Sequence, residues 1–142
     1  MNILITDDSN DTLRKKIEQG FQLMNNHEGK LTQRFLEGCT KDIPSLKIYG
    51  NANPKSTWDG KRTPTFAMRM NCFDTAGELA EALVERKIIT AAGHFYAKYF
   101  TETLGLIGSG GYVRIGFAHY NTIEEVDAVL KALKEIATKY SK

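Results

Sequence analysis

Few groups in this chain have a type and spacing that suggest chemistry, and Arg114 is the most isolated of them. In Tyr112-Val113-Arg114-Ile115-Gly116-Phe117-Ala118 the alternation puts Val113, Ile115 and Phe117 on one face of a strand. Tyr112, Arg114, Gly116 and Ala118 fall on the other. A lone guanidinium among small neighbours suits bidentate capture of a carboxylate, although a solvated strand arginine with a nearby Glu has the same periodicity. His94, in Ala92-Gly93-His94-Phe95-Tyr96-Ala97, stands at a loop-to-helix junction, where spacing favours a helix cap over a pocket residue. The two thiols, Cys39 and Cys72, adjoin no His that would activate them and show no metal-ligand spacing. They read as packed residues in a reducing compartment. His27 falls inside a helical stretch as a solvated or interfacial side chain.

Two other patterns imitate sites. Gly105-Leu106-Ile107-Gly108-Ser109-Gly110-Gly111 has the glycine density of a phosphate loop. A strand follows it where a helix N-terminus would have to point at the anion, and no Gly-Lys-Ser/Thr closes it, so it reads as a flexible turn. Ile3-Leu4-Ile5-Thr6-Asp7-Asp8-Ser9 has the strand and acidic pair of a phosphorelay receiver. The only later phosphoacceptor candidate, Asp59, follows Asn53-Pro54-Lys55-Ser56-Thr57-Trp58, which is no buried strand. A short strand or tail leading into a helix N-cap accounts for the segment.

The elements that must position these residues follow from periodicity. Leu13, Ile17, Phe21, Met24, Leu31 and Phe35 recur at helical steps and predict a helix of about 25 residues. Ser9, Asn10 or Asp11 would cap it, and Gly20 and Gly29 predict a bend or break between Asn25 and Gly29. A short strand at Leu46–Tyr49 and a polar loop from Gly50 to Arg62 come next. Thr65–Met70 then alternates, with Phe66, Met68 and Met70 inward. Thr75 with Glu78, and Thr122 with Glu125, form capping boxes that open two helices. Between them lie a predicted strand at Ile88–Thr90, a helix at His94–Leu104 carrying Tyr96, Tyr99 and Phe100, and the Tyr112–Ala118 strand. The last helix carries Ile123, Val126, Val129, Leu130, Leu133 and Ile136. The order predicts an α+β fold: about four strands in a mostly antiparallel sheet, helices on one face, and a long N-terminal helix.

Composition excludes several classes. With 142 residues and 42% hydrophobic content, residues 1–142 are expected to form a single domain, which buries roughly 70% of the surface of its unfolded chain. Nineteen Lys plus Arg against 17 Asp plus Glu leave a net charge of +2, scattered along the chain, so no nucleic-acid footprint is present. No apolar run reaches the roughly 18 residues of a membrane helix. Met1-Asn2-Ile3-Leu4-Ile5 lacks the basic start of a signal peptide. A soluble, cytoplasmic protein is expected, with neither membrane nor nucleic acid as partner.

Three segments carry a family resemblance. Gly111-Tyr112-Val113-Arg114-Ile115-Gly116-Phe117-Ala118-His119-Tyr120-Asn121-Thr122-Ile123-Glu124-Glu125-Val126-Asp127 resembles the C-terminal signature of class V aminotransferases, the pyridoxal-phosphate enzymes of the cysteine desulfurase type. Arg62-Thr63-Pro64-Thr65-Phe66 and Ala92-Gly93-His94-Phe95-Tyr96-Ala97 occur upstream in matching order, and Gly-His-Phe-Tyr-Ala points to a desulfurase-like subgroup. The resemblance covers about residues 10 to 140. It implies the small C-terminal domain of such an enzyme, with Arg114 holding the substrate's α-carboxylate. His94 would be a second substrate-binding residue, and the long helix would cross from the large domain. It also puts Tyr96 where true desulfurases carry their nucleophilic Cys, which argues against persulfide chemistry. The large domain holds the Schiff-base Lys, the Asp beside the pyridine nitrogen and the phosphate-binding loop, and no segment here resembles it. The chain reads as an excised fragment, a split gene or a truncated gene. It is expected to bind no cofactor and catalyse nothing alone, to need the large domain in cis or in trans, and to form a homodimer. The alternative is a stand-alone interaction or small-ligand module that kept the fold and lost the chemistry.

Overall fold

A computed structural model of the chain describes residues 13–54 and 62–140. The candidate caps Ser9, Asn10 and Asp11, the acidic pair Asp7–Asp8 and Asp59 lie outside the described residues. Helix α1 spans Leu13–Asp42 and is followed by strands β1 (Leu46–Tyr49) and β2 (Thr65–Met70) and helix α2 (Ala76–Val84). Strand β3 (Ala91–Gly93), helix α3 (Lys98–Thr103), strand β4 (Tyr112–Gly116) and helix α4 (Ile123–Lys139) complete the order. The four strands pair in the order β1-β2-β4-β3, every pair antiparallel.

Alternation in the strands sorts the sheet into two faces. Phe66, Met68 and Met70 of β2 and Val113 and Ile115 of β4 are buried under the helices. Leu31, Phe35, Leu36 and Cys39 of α1 meet them, together with Leu79 and Leu83 of α2 and Val126, Leu130, Leu133 and Ile136 of α4. Phe35 is the centre of an aromatic cluster, its ring 4.5 Å from that of Phe66 and 5.4 Å from that of Phe117. Gly38 is where α1 and α4 come closest, because a Cβ there would run into Leu130.

Helix α1 runs unbroken for 30 residues, about 45 Å, so the break expected near Asn25–Gly29 does not occur. Gly29 is itself buried, and the intrinsic cost of a helical glycine, about 1 kcal/mol, is small beside the packing of the turns that follow it. Before Gly29 no residue of α1 is buried, and Leu13, Ile17 and Phe21 are 75%, 49% and 58% exposed. The side of this half nearest the body is tied down by polar groups: a His27 ring nitrogen lies 2.8 Å from the Asn121 carbonyl, and Glu28 lies 3.9 Å from His119. His27 is thus the half-buried interfacial residue the sequence suggested.

Both capping boxes are formed. Thr75 Oγ1 accepts from the Glu78 N–H while Glu78 accepts from the Thr75 N–H, and Thr122 and Glu125 repeat the exchange. Three boundaries differ from expectation. The apolar Ile88–Thr90 segment is no strand. Lys87 takes a left-handed conformation and closes α2, with Lys87 N–H donating to Val84 O and Ile88 N–H to Leu83 O, and Ile89 is left 90% exposed. Pairing is displaced to Ala91–Gly93. The helix expected from His94 begins at Lys98 instead, because Phe95 and Tyr96 have φ of 48° and 64°, which a right-handed helix cannot include. Strand β4 ends at Gly116, two residues early, because Ala118 N–H is taken by the side chain of Asn121.

Candidate functional site

The sheet face turned away from the helices carries Lys47 and Tyr49 from β1, and Thr65, Ala67 and Arg69 from β2. Tyr112, Arg114 and Gly116 of β4 and Ala91 and Gly93 of β3 complete it. These strand positions hold three cations and no carboxylate. The two arginines are nonetheless in opposite states.

Arg69 is fully engaged. Its Nη1 donates to the carbonyls of Ser109 and Gly111 at 2.8 and 3.0 Å and to Ser109 Oγ at 3.2 Å, and its Nη2 donates to Asp74 O at 2.7 Å. The glycine-rich run is therefore held against the sheet rather than loose, with a 3₁₀ turn at Ile107–Ser109. It offers carbonyl oxygens to a cation, the opposite polarity from a phosphate loop. Gly111 has φ +79°, and a Cβ there would strike the Gly93 carbonyl. Glycine at this position is what lets β3 lie beside the start of β4.

Arg114 is free. It is exposed, and among the described residues its guanidinium donates no hydrogen bond and meets no carboxylate. Its register partners on both sides are alanines, Ala67 in β2 and Ala91 in β3, which leave the head group uncovered. Arg114 is thus solvated, but no Glu pairs with it among the described residues. One neighbour does touch it: Arg114 Cζ lies 4.1 Å from the centre of the Phe95 ring. Phe95 also packs on Tyr112 at 5.6 Å, and Tyr112 on Tyr49 at 6.5 Å. Tyr112 is therefore only 7% exposed, although periodicity alone put it on the open face beside Arg114.

His94 follows β3 directly and is exposed. It caps no helix by its side chain. Its carbonyl accepts from the Ala97 N–H at 2.8 Å, while Ala97 is the N-cap of α3 and makes no side-chain cap. The β3–β4 register pairs Ala91, not His94, with Arg114 and leaves the His94 backbone beside Gly111, so the residue of this segment that comes against Arg114 is Phe95. Tyr96 projects fully into solvent. Cys39 is buried in the core, which pushes its thiol up to about 12, and Cys72 lies half-buried beyond β2 with its thiol also raised by burial. Neither thiol belongs to this face.

The other segments of the resemblance have structural work. Arg62 stacks on the Phe66 ring at 4.5 Å and donates to the carbonyls of Thr65 and Asn51, fastening the start of β2. Asn121 accepts from Ala118 N–H and donates to Glu125 at 2.9 Å, so the Tyr-Asn-Thr-x-Glu-Glu run is the N-terminal cap of α4. Sequence reasoning missed Phe95 as a neighbour of Arg114, since nothing in its spacing reveals a left-handed turn. It also missed Arg69, whose strand position alone did not distinguish it from Arg114.

Pyridoxal phosphate, the cofactor the resemblance implies, needs a lysine, a carboxylate and a cluster of amide donors converging on one pocket. The described residues do not fit it. The lysine on this face, Lys47, is exposed and lies 5.0 Å over Tyr49, the strand positions carry no carboxylate, and the glycine run faces a cation. Among the described residues no cluster of metal ligands occurs and no helix is long and apolar enough to cross a membrane.

Known proteins resemble this chain in sequence and in fold. The chain is 30% identical over 124 residues to the aminotransferase-like protein FGM3 of Gibberella zeae, covering 84% of this chain and 29% of that protein. It is 34% identical over 100 residues to a probable cysteine desulfurase of Mycolicibacterium paratuberculosis, 68% of this chain and 12% of the relative. The apo structure of a cysteine desulfurase from Thermococcus onnurineus NA1 superposes with a TM-score of 0.72 at 25% identity, over 89% of this chain and 29% of that one. The chain thus spans less than a third of the length of these relatives. The family described as Aminotransferase class-V matches residues 10–129, nearly the whole of the fold, and the chain belongs to that family.

Proposed function

We propose that residues 1–142 form the C-terminal, substrate-carboxylate-binding domain of a pyridoxal-phosphate enzyme of the cysteine desulfurase-like kind, inactive by itself. The observation that carries this reading is the exposed Arg114 guanidinium between two alanines, without a hydrogen-bond acceptor among the described residues. A planar fork of donors left open in this way suits a carboxylate. His94, exposed at the end of β3 and one residue before Phe95, is the second substrate contact in this reading. The large domain, in cis or in trans, supplies the lysine, the carboxylate and the phosphate site that are missing from the described residues. The exposed stripe of α1 is the surface left for that domain, and in its absence for a second copy of the chain. Tyr96 stands where a desulfurase has its nucleophile, and a phenol does not replace a thiolate that must attack bound sulfur, so no persulfide forms here. The location proposed is the cytoplasm, with no nucleic-acid or membrane partner.

The test is a titration of the 15N-labelled chain with L-alanine and with L-alaninamide, which lacks the carboxylate. Resonances of β4 and of Gly93–Ala97 should move with the amino acid alone, and Arg114→Lys should abolish the response. Equal shifts with the amide, or a response that survives Arg114→Lys, would defeat the assignment. The exposed stripe of α1 also favours a second reading, a stand-alone interaction module that kept the fold. A neighbouring reading frame for the lysine-bearing domain separates the two.

A further inference from the structure

We infer that Phe95 is a positioning residue for Arg114. Its ring is the floor that holds the guanidinium flat and open-faced for a carboxylate, and the left-handed turn at Phe95–Tyr96 exists to set that floor. This rests on the carboxylate reading of Arg114 and adds the device that orients it.

Three independent features of the fold converge on this role. The first is the contact itself: Arg114 Cζ stands 4.1 Å from the Phe95 ring centre, within the range of a cation–π stack. Arginine has long, freely rotating stems, and Arg114 has no hydrogen bond among the described residues to choose a rotamer. Among the described residues the Phe95 ring is the partner of its head group, and no hydrogen bond spends the N–H fork. A salt bridge would have spent the fork, as the four hydrogen bonds of Arg69 do.

The second is support beneath the ring. Phe95 packs on Tyr112 at 5.6 Å, and Tyr112 is buried and packs in turn on Tyr49 at 6.5 Å. A row of rings thus runs across the sheet from β1 and ends under Arg114. Each end of the row meets a cation, Lys47 at 5.0 Å from the Tyr49 ring centre and Arg114 at 4.1 Å from that of Phe95, and the Arg114 contact is the closer.

The third is the backbone. Phe95 and Tyr96 both have positive φ, 48° and 64°, a conformation that is unfavourable for bulky aromatic residues. Two adjacent residues in this region reverse the chain within one step of the sheet edge. Phe95 is thereby folded back over β4, while Tyr96 is turned fully outward. A right-handed continuation into α3 would be less strained but would not make this reversal. Strain that survives in a fold marks a geometry that the surroundings impose.

The experiment follows the side-chain Nε–Hε resonance of Arg114 in the 142-residue chain, during titration with sodium acetate against sodium chloride of equal ionic strength. In the native chain the Hε signal should sit upfield from ring current, and acetate should move it. Phe95→Leu should abolish the upfield displacement and weaken acetate binding by about two- to fivefold, the range a surface cation–π contact allows. Phe95→Trp, which keeps a ring face, should retain both. An unchanged acetate affinity in Phe95→Leu would overturn the inference, and so would equal losses in the Leu and Trp variants. If acetate leaves the native signal unmoved while the ring-current displacement is present and lost in Phe95→Leu, then the carboxylate reading fails and the inference falls with it. If the displacement is absent from the native chain, the stack itself is refuted and the carboxylate reading is untouched.

Discussion

At the scale of single residues, the open sheet face shows how context divides identical side chains. Arg69 and Arg114 sit on adjacent strands of one face, yet four acceptors consume the first and two alanines isolate the second. The thiols divide in the same way. Burial pushes the Cys39 thiol up to about 12, so at pH 8 it is almost wholly protonated and unreactive, whereas Cys72 is half-buried. Iodoacetamide at pH 8 should label Cys72 in the native chain and Cys39 only after denaturation, as read by mass spectrometry. Rapid native labelling of Cys39 would refute its packing. Glycine 111 provides a further test. Its φ of +79° and the Gly93 carbonyl directly beside it leave no room for a side chain. Gly111→Ala should cost several kcal/mol, about 2 or more, and separate β3 from β4. Denaturant melts would measure the loss, and a stability within 0.5 kcal/mol of native, a change ordinary for a surface substitution, would contradict the close approach.

At the scale of elements, the two capping boxes tie stability to pH. Hydrogen bonds from the Thr75 backbone hold Glu78 below the ordinary carboxylate range, and Asn121 and the Thr122 backbone do the same for Glu125. A carboxylate whose folded pKa is depressed stabilises the fold above its unfolded pKa. That contribution is lost as pH falls through the lowered value. Thermal melts from pH 7 to pH 3 should therefore drop in Tm at the acid end, and Glu78→Gln with Glu125→Gln should flatten the drop while keeping an oxygen for each cap. An identical acid slope in the double variant would show that other groups govern it. The boxes were legible in the sequence because a cap is local: Thr and Glu three residues apart fix their own partners. β1, β2 and α4 were legible too, their alternation or helical stripe matching the core they face. What was not legible depended on left-handed turns and on contacts with other strands. Ile88–Thr90 has strand-forming residues, yet the left-handed Lys87 uses the segment to end α2. His94–Leu104 has aromatic residues at helical spacing, yet the sheet edge pulls Phe95 onto Arg114. The uncovered guanidinium of Arg114 was legible only as one of two readings, since the alanines that leave it open belong to other strands.

At the scale of the whole molecule, the uneven burial of α1 is the dominant feature. From Gly29 onward the helix is built into the core, while Leu13, Ile17 and Phe21 form an exposed stripe on the half before it and Met24, next on the same face, is half-buried. The stripe does not fold back on the chain's own sheet, whose helix-facing side is already filled by the buried half of α1, α2 and α4. These three side chains expose on the order of a few hundred Å2, and each Å2 left in water costs about 25 cal/mol. A patch of that size rarely stays bare on a soluble monomer. In an intact enzyme the large domain would cover part of it. The dimer proposed for the 142-residue chain would pair this stripe with the same stripe on a second copy, two helices side by side about an axis of two-fold symmetry. Light scattering over a dilution series should report a dimer that dissociates on dilution. Phe21→Glu places a charge at the centre of the stripe and should weaken the association by about tenfold or more, without changing the melting of the core, which Phe21 does not touch. A monomer at every concentration, or a dimer indifferent to Phe21→Glu, would show that α1 does not carry the contact.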